Sequence, residues 1–101
     1  MNLRVTQQGE WDLELRAEFW EKRQASLGRE YLLHLRSELK RLTRLATSDR
    51  HARRLGDFRR FLTKRFSAEV FYDIEDDDLV VYGVFDCRED PLEIELELSR
   101  R

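Results

Sequence analysis

The chain has 101 residues, of which 41% are hydrophobic and 40% are charged, and its net charge is −2. This length excludes several domains, so we expect one domain with a thin core over residues 1–101. No apolar run approaches the ~20 residues of a membrane span, and residues 1–11 lack the apolar segment of a signal peptide. A single cysteine excludes an internal disulfide, so we expect a cytoplasmic protein. Because no apolar run is long enough to span a membrane, we expect no contact with membranes.

The small net charge hides an uneven distribution. Residues 1–66 carry sixteen Lys and Arg against nine Asp and Glu, whereas residues 67–101 carry three against twelve. The two parts thus have charges of +7 and −9. A basic field of this size can attract a polyanion or an acidic protein. The alternative is that the two parts neutralise each other, within the fold or between subunits.

The first elements predicted are a short strand at residues 2–7 and a helix that follows it. We expect Gly9 to break the chain between them. The helix carries two adjacent apolar stripes, and we expect its two tryptophans, Trp11 and Trp20, to lie in the core or at its edge. The stripes are Trp11, Leu15 and Phe19, and Leu13, Ala17 and Trp20.

A second helix is predicted over residues 29–46, after a turn that contains Gly28. Its apolar residues recur at steps of three and four, which is typical of one buried helix face. They are Leu32, Leu35, Leu39, Leu42 and Ala46. The opposite face is basic. Two amphipathic helices joined by a short turn predict a helical hairpin.

Three apolar runs follow a polar loop at residues 47–56. The runs cover residues 58–63, 68–74 and 79–87, and four acidic residues separate the last two. β-branched and aromatic residues at this density predict an antiparallel meander, with the last two runs as its central strands.

The tail after Pro91 alternates apolar residues with glutamates. Pro91 also suits a helix start, but a helix would scatter the apolar residues around its circumference, so we predict a C-terminal strand. We expect Leu92 and Ile94 to close the core, and Leu96 and Leu98 to form an interface with another chain by strand addition. The order β-α-α-β-β-β with a C-terminal strand describes an α+β fold, with a two-helix hairpin on one face of an antiparallel sheet.

Three local motifs accompany this order of elements. Leu27-Gly28 precedes Tyr31 at the opening of the second helix, and Lys-Arg-Phe at 64–66 precedes Val-Phe-Tyr at 70–72. Cys-Arg-Glu-Asp-Pro at 87–91 follows the last strand. In their order and spacing, these motifs resemble those of the ParE/RelE superfamily of toxins from type II toxin–antitoxin systems.

The resemblance implies a toxin that a cognate antitoxin neutralises and that needs no metal and no organic cofactor. ParE-like toxins act by binding DNA gyrase, whereas RelE-like toxins cleave mRNA on the ribosome. Gyrase and the ribosome with its mRNA are therefore the two candidate targets. A diverged member that keeps only the scaffold is a third hypothesis, and a homodimer is a further assembly to consider.

The RNase hypothesis assigns catalytic roles to Arg60, Lys64, Arg65 and Arg88, because positive charge stabilises the scissile phosphate as charge develops on it. The alternative is that the arginines near residue 60 pair with carboxylates of the adjacent strand. Relatives also place a Tyr or His near the C-terminus for proton transfer, whereas this sequence has neither after Tyr82. Asp86 is the only titratable substitute near Arg88. The sequence therefore favours protein binding over cleavage.

Overall fold

The computed structural model describes residues 1–46, the backbone of 53–55, and residues 57–101. The loop predicted at residues 47–56 is wrong at 53–55, which form a short strand, and its other residues lie outside the described ones. No helix of the described part is both long enough and apolar enough to cross a membrane. The elements are β1 (Asn2–Val5), α1 (Gln7–Arg23), α2 (Leu27–Leu45), β2 (Arg53–Leu55), β3 (Phe58–Leu62), β4 (Ala68–Glu75), β5 (Asp78–Asp86) and α3 (Pro91–Ser99).

The described strands form one sheet in the order β1-β5-β4-β3-β2. The predicted meander is confirmed, since β3, β4 and β5 pair antiparallel and β4 and β5 lie inside the sheet. The prediction of a wholly antiparallel sheet is wrong at one edge, because β1 pairs parallel with β5. Parallel pairing needs a long connection, and the helical hairpin and the meander provide it. The sheet is therefore mixed.

A bulge in β5 changes which side chains face the helices. Tyr72 pairs with Val81 and Phe71 pairs with Gly83, so Tyr82 is an extra residue between them. Val81 and Val84 consequently both contribute to the core beneath the hairpin.

Helix α1 begins earlier than predicted. The Thr6 side chain accepts a hydrogen bond from the Gly9 amide at 3.1 Å and thereby caps the helix. Gly9 lies inside the first turn rather than before it, so the prediction of a break at Gly9 is wrong. The side-chain cap outweighs the modest cost of a helical glycine.

The two apolar stripes of α1 have different environments. Leu13 and Ala17 are buried beneath α2 and the sheet, and Trp20 packs partly buried against the same core. Exposure is 57% for Trp11, 60% for Leu15 and 42% for Phe19. The expectation that the tryptophans lie in the core or at its edge is therefore confirmed for Trp20 and wrong for Trp11. A helix turns one face to its neighbours, and here that face is the Leu13 stripe.

Helix α2 packs as predicted. The predicted stripe is buried except for Leu32, which is half-buried, and Tyr31 widens it; the buried members are Leu35, Leu39, Leu42 and Ala46. The hairpin with α1 is tight, because a Cβ at Gly28 would lie only 2.6 Å from the carbonyl oxygen of Ala17. This close approach explains a glycine in the first turn of α2.

The predicted C-terminal strand is wrong, because residues Pro91–Ser99 form helix α3. The Asp90 carboxylate caps it by accepting from the Leu92 amide at 3.0 Å, and Pro91 occupies the first turn. Ile94 and Leu98, one helical turn apart, are buried. The alternation misled because a short helix can expose its other two leucines, Leu92 and Leu96.

The buried face of α3 forms a second, smaller core. Ile94 and Leu98 pack with Phe71 and Phe85. Successive side chains of a strand point to opposite faces of the sheet. Val70 and Tyr72 belong to the main core, so Phe71 between them points to the opposite face. The sheet thus has the α1–α2 hairpin on one face and α3 on the other.

Candidate protein-binding groove

The arginines predicted to bind phosphate on β3 have acidic partners on β4. Arg60 Nη2 lies 3.1 Å from Glu69 Oε1, and Arg59 Nε lies 3.8 Å from Asp73 Oδ1. The antiparallel register explains the first pair, because Arg60 lies across from Phe71 and Glu69 is its diagonal neighbour. Arg59 lies across from Tyr72, and its guanidinium reaches the next residue along β4, Asp73. The positive charge of this strand is therefore partly compensated by its neighbour.

The two basic residues after β3 have different environments. Arg65 reaches α2, where its Nη2 atom lies 2.7 Å from Glu30 Oε2, and its guanidinium lies 4.6 Å from the Phe66 ring centre. Lys64 is exposed. Arg60 and Arg65 thus engage carboxylates of two different elements.

Arg88 forms a two-pronged ion pair with Asp86 just after β5. Its Nη2 and Nε atoms donate to the two carboxylate oxygens at 2.6 and 2.9 Å. The hydrogen bonds from Arg88 hold the pKa of Asp86 below its ordinary value. A carboxylate held in its ionised form is poorly suited to donate a proton near neutral pH. Asp86 is thus a weak substitute for the missing Tyr or His.

A buried ionic network that sequence reasoning missed covers the free edge of β5. Strand β1 pairs with β5 only as far as Val81. Beyond it, the Val84 amide donates to Asp12 Oδ2 at 3.0 Å, and the Tyr82 carbonyl accepts from Arg101 Nη1 at 2.9 Å. Arg101 Nη1 also donates to Asp12 Oδ2 at 2.5 Å. Side chains from α1 and from the end of α3 therefore replace the next strand.

Arg16 extends this network toward the end of β5. Its Nη2 and Nε atoms donate to Glu89 at 2.6 and 3.2 Å, and its Nη1 atom lies 3.6 Å from Asp12 Oδ1. The guanidinium groups of Arg16 and Arg101 lie 5.0 and 5.2 Å from the Phe85 ring centre. The only sequence signal was the spacing of four between Asp12 and Arg16, which is typical of an exposed helix pair.

Two adjacent cavities lie along α1 above this network, and we call them together the α1 groove. One part has a volume of about 580 Å³ and lies between the second half of α1 and the segment after β5. The other part, about 370 Å³, lies between the first half of α1 and α3. Leu15, Arg16 and Glu89 line both parts, so these three residues lie where the two parts meet.

The wall of the groove contributed by α1 is the exposed stripe of Trp11, Leu15 and Phe19. At the end near Phe19 the aromatic side chains meet arginines. The guanidinium of Arg23 lies 4.6 Å from the Phe19 ring centre, and that of Arg88 lies 5.5 Å from the Trp20 ring centre. Three large apolar side chains exposed along one groove indicate a surface for binding another protein.

The two ends of the groove differ in charge. Glu93 and Glu97 of α3 line the end beside Trp11. Lys22, Arg23 and Arg88 line the end beside Phe19 together with Glu18 and Glu89, and Arg88 is paired with Asp86. The groove therefore has an exposed apolar stripe on its α1 wall, with an excess of acidic side chains at one end and a slight excess of basic side chains at the other.

The strand addition predicted at Leu96 and Leu98 is wrong, because both residues lie in helix α3, and neither of them lines the groove. Leu98 is buried in the small core with Phe71, and Leu96 is 58% exposed on the outer face of α3. No group of three or more His, Cys, Asp or Glu side chains within the described ranges could hold a metal ion.

When the chain is compared with known proteins, no family model matches it and no curated protein gives a significant match.

Proposed function

We propose that this protein is a ParE-like toxin of a type II toxin–antitoxin system. It acts in the cytoplasm by binding a protein target through the α1 groove, and a cognate antitoxin neutralises it. By the resemblance, DNA gyrase is the first candidate target. The observation that carries the proposal is the exposed stripe of Trp11, Leu15 and Phe19 on the helical hairpin.

The stripe supports a binding function because the fold leaves it uncovered while it buries the adjacent stripe. Leu15 is 60% exposed, whereas Leu13, two positions away, is fully buried. Aromatic side chains are enriched in protein interfaces, and tryptophan is among the residues that contribute most of the binding energy. The rigid network of Asp12, Arg16 and Arg101 beneath the groove holds its walls in place.

The RNase alternative finds less support in the geometry. Arg60, Arg65 and Arg88 each form an ion pair with a carboxylate of the chain. Such pairs lower the positive charge available to a scissile phosphate. The pKa of Asp86, the residue considered as a substitute for the missing Tyr or His, is lowered by its hydrogen bonds from Arg88, which favours the ionised form.

Two purified systems separate the hypotheses. In a supercoiling reaction with DNA gyrase, we expect the protein to inhibit the enzyme, and Leu15→Glu to abolish the inhibition. Leu33→Glu is the matched control, because Leu33 is equally exposed at 60% but lies on α2, outside the groove. In a purified translation system, we expect no cleavage of ribosome-bound mRNA.

Cleavage that is lost when Arg60, Lys64 and Arg65 are replaced by Ala would overturn the proposal in favour of the RelE-like alternative. Inactivity in both systems, with growth unaffected by expression, would favour the diverged scaffold.

A further inference from the structure

The exposed stripe of α1 has an approximate symmetry. Trp11 and Phe19 each lie four residues from Leu15, or about 6 Å along the helix axis on either side of it. An aromatic ring thus flanks the central leucine on each side. Such a stripe can pack against a copy of itself in the antiparallel direction, with leucine against leucine and each tryptophan near the partner's phenylalanine.

The charges at the two ends of the groove are complementary to each other. Glu93 and Glu97 lie beside Trp11, and Lys22 and Arg23 lie beside Phe19. Neither Lys22 nor Glu93 has an ion-pair partner among the described residues. Arg23 contacts aromatic rings rather than a carboxylate. Glu97 is shared with its own chain, since its carboxylate lies 3.3 Å from Arg100 and 3.9 Å from Arg101. The charges without an ion-pair partner, Lys22, Arg23 and Glu93, therefore lie at opposite ends of the groove.

We propose that a second copy of this chain occupies the groove, with the two α1 helices antiparallel about a twofold axis near Leu15. The axis places Lys22 and Arg23 of each copy against Glu93 and Glu97 of the other, at both ends at once. A parallel arrangement would bring like charges together, which costs free energy. The opposite charges therefore select the antiparallel dimer.

This inference rests on the proposed function, because it assigns a regulatory state to the same groove. The homodimer covers the side chains that a protein target needs, so dimer and target complex exclude each other. Because the ends are charged and exposed, the dimer should weaken as salt rises and screens them. Its population depends on concentration, and a partner that binds the monomer shifts the equilibrium by mass action.

Sedimentation equilibrium of the full chain at low salt tests the dimer. We expect a monomer–dimer equilibrium whose dissociation constant rises about 100-fold or more with Leu15→Glu, which places a charge in the centre of the interface. Leu33→Glu should leave it unchanged. Circular dichroism and urea unfolding of each variant show whether it is folded.

Charge reversal tests the orientation. Lys22→Glu with Arg23→Glu, and separately Glu93→Lys with Glu97→Lys, should each raise the dissociation constant about tenfold or more. The four changes together should restore it, because the reversed ends attract again. Glu95→Lys is the control, since Glu95 is exposed on the same helix but does not line the groove.

Several results would overturn the dimer: a monomer at all concentrations, an equal effect of Leu15→Glu and Leu33→Glu, or no restoration by the combined reversal. Binding of only a foreign helix in the groove, with no self-association, would also do so. A monomer that still inhibits gyrase would contradict the dimer alone. A dimer that inhibits nothing would contradict the proposed function alone.

Discussion

Arg101 and Asp12 are 89 positions apart in the sequence, yet they form a buried ion pair with an Nη1–Oδ2 distance of 2.5 Å. Their side chains are only 9% and 8% exposed. The pair joins the end of α3 to the second turn of α1 across the free edge of β5. A Cβ at Gly83 would lie 2.9 Å from Arg101 Nη1, so the glycine leaves space for the guanidinium.

Replacement of Asp12 by Ala should lower the free energy of unfolding by about 3–5 kcal/mol. The change leaves the buried Arg101 guanidinium without its main partner and the Val84 amide without an acceptor. Urea denaturation measures the effect. Glu14→Ala is the control on the same helix, since Glu14 is exposed and should change stability by less than about 0.5 kcal/mol. A loss for Asp12→Ala as small as that of the control would contradict this account of the β5 edge.

The leucines of α2 should separate clearly by burial. Leu39 is fully buried in the main core, and its truncation to Ala should cost about 2–5 kcal/mol, because it removes apolar contacts and leaves a cavity. Leu33 on the same helix is 60% exposed, so Leu33→Ala should cost less than about 0.5 kcal/mol. Thermal or urea unfolding of the two variants provides the comparison, and similar losses would show that α2 turns a different face to the sheet.

Stability should depend on pH through Asp86. The hydrogen bonds from Arg88 lower the pKa of Asp86 in the folded chain below its value in the unfolded chain. A depressed carboxyl pKa stabilises the fold above the unfolded value of about 3.9, and this stabilisation is lost as pH falls through the folded pKa. Asp86→Asn should therefore destabilise the protein modestly near neutral pH and progressively less in acid.

The pH profile is measured by urea unfolding at a series of pH values. Arg88→Gln removes the cause of the shift, so its difference from the parent protein should fade over the same acidic range. A destabilisation by Asp86→Asn that is the same near neutral pH and in strong acid would show that the ion pair does not act through ionisation of this carboxyl.

The parts of the fold that the sequence predicted well have a single dominant pattern. Helix α2 has one apolar stripe, and its periodicity identified it. Strands β4 and β5 are dense in β-branched and aromatic residues, and this composition identified them. Helix α1 has two adjacent stripes that periodicity cannot rank. Only the packing of α2 and the sheet shows that Leu13 is buried and Leu15 is exposed.

The tail shows how local capping can outweigh alternation. Asp90 and Pro91 together start a helix, and that signal was present in the sequence but ranked below the alternating leucines. The Asp12–Arg101 pair could not be predicted without this helix. Arg101 follows the end of α3, where its backbone amide donates to the Leu98 carbonyl at 3.0 Å, and its side chain reaches the free edge of β5.

The candidate site was predicted only in part. The sequence favoured protein binding over cleavage, but it placed Trp11 in the core or at its edge. The groove depends on α3, whose Glu93 and Glu97 form one wall. Because the sequence predicted a strand at these positions, it did not predict that wall. The charge difference between the two ends of the groove could therefore be recognised only in the folded chain.

Growth of bacteria during induced expression tests the central claim most directly. We expect the parent chain to arrest growth, Leu15→Glu to abolish the arrest, and Leu33→Glu to retain it, with equal amounts of folded protein in all three cultures. The two substitutions add the same charge at leucines of equal exposure, so a difference between them reports the groove rather than surface hydrophobicity. Arrest by both variants, or by neither the parent chain nor the variants, would contradict a toxin that acts by binding a protein through this groove.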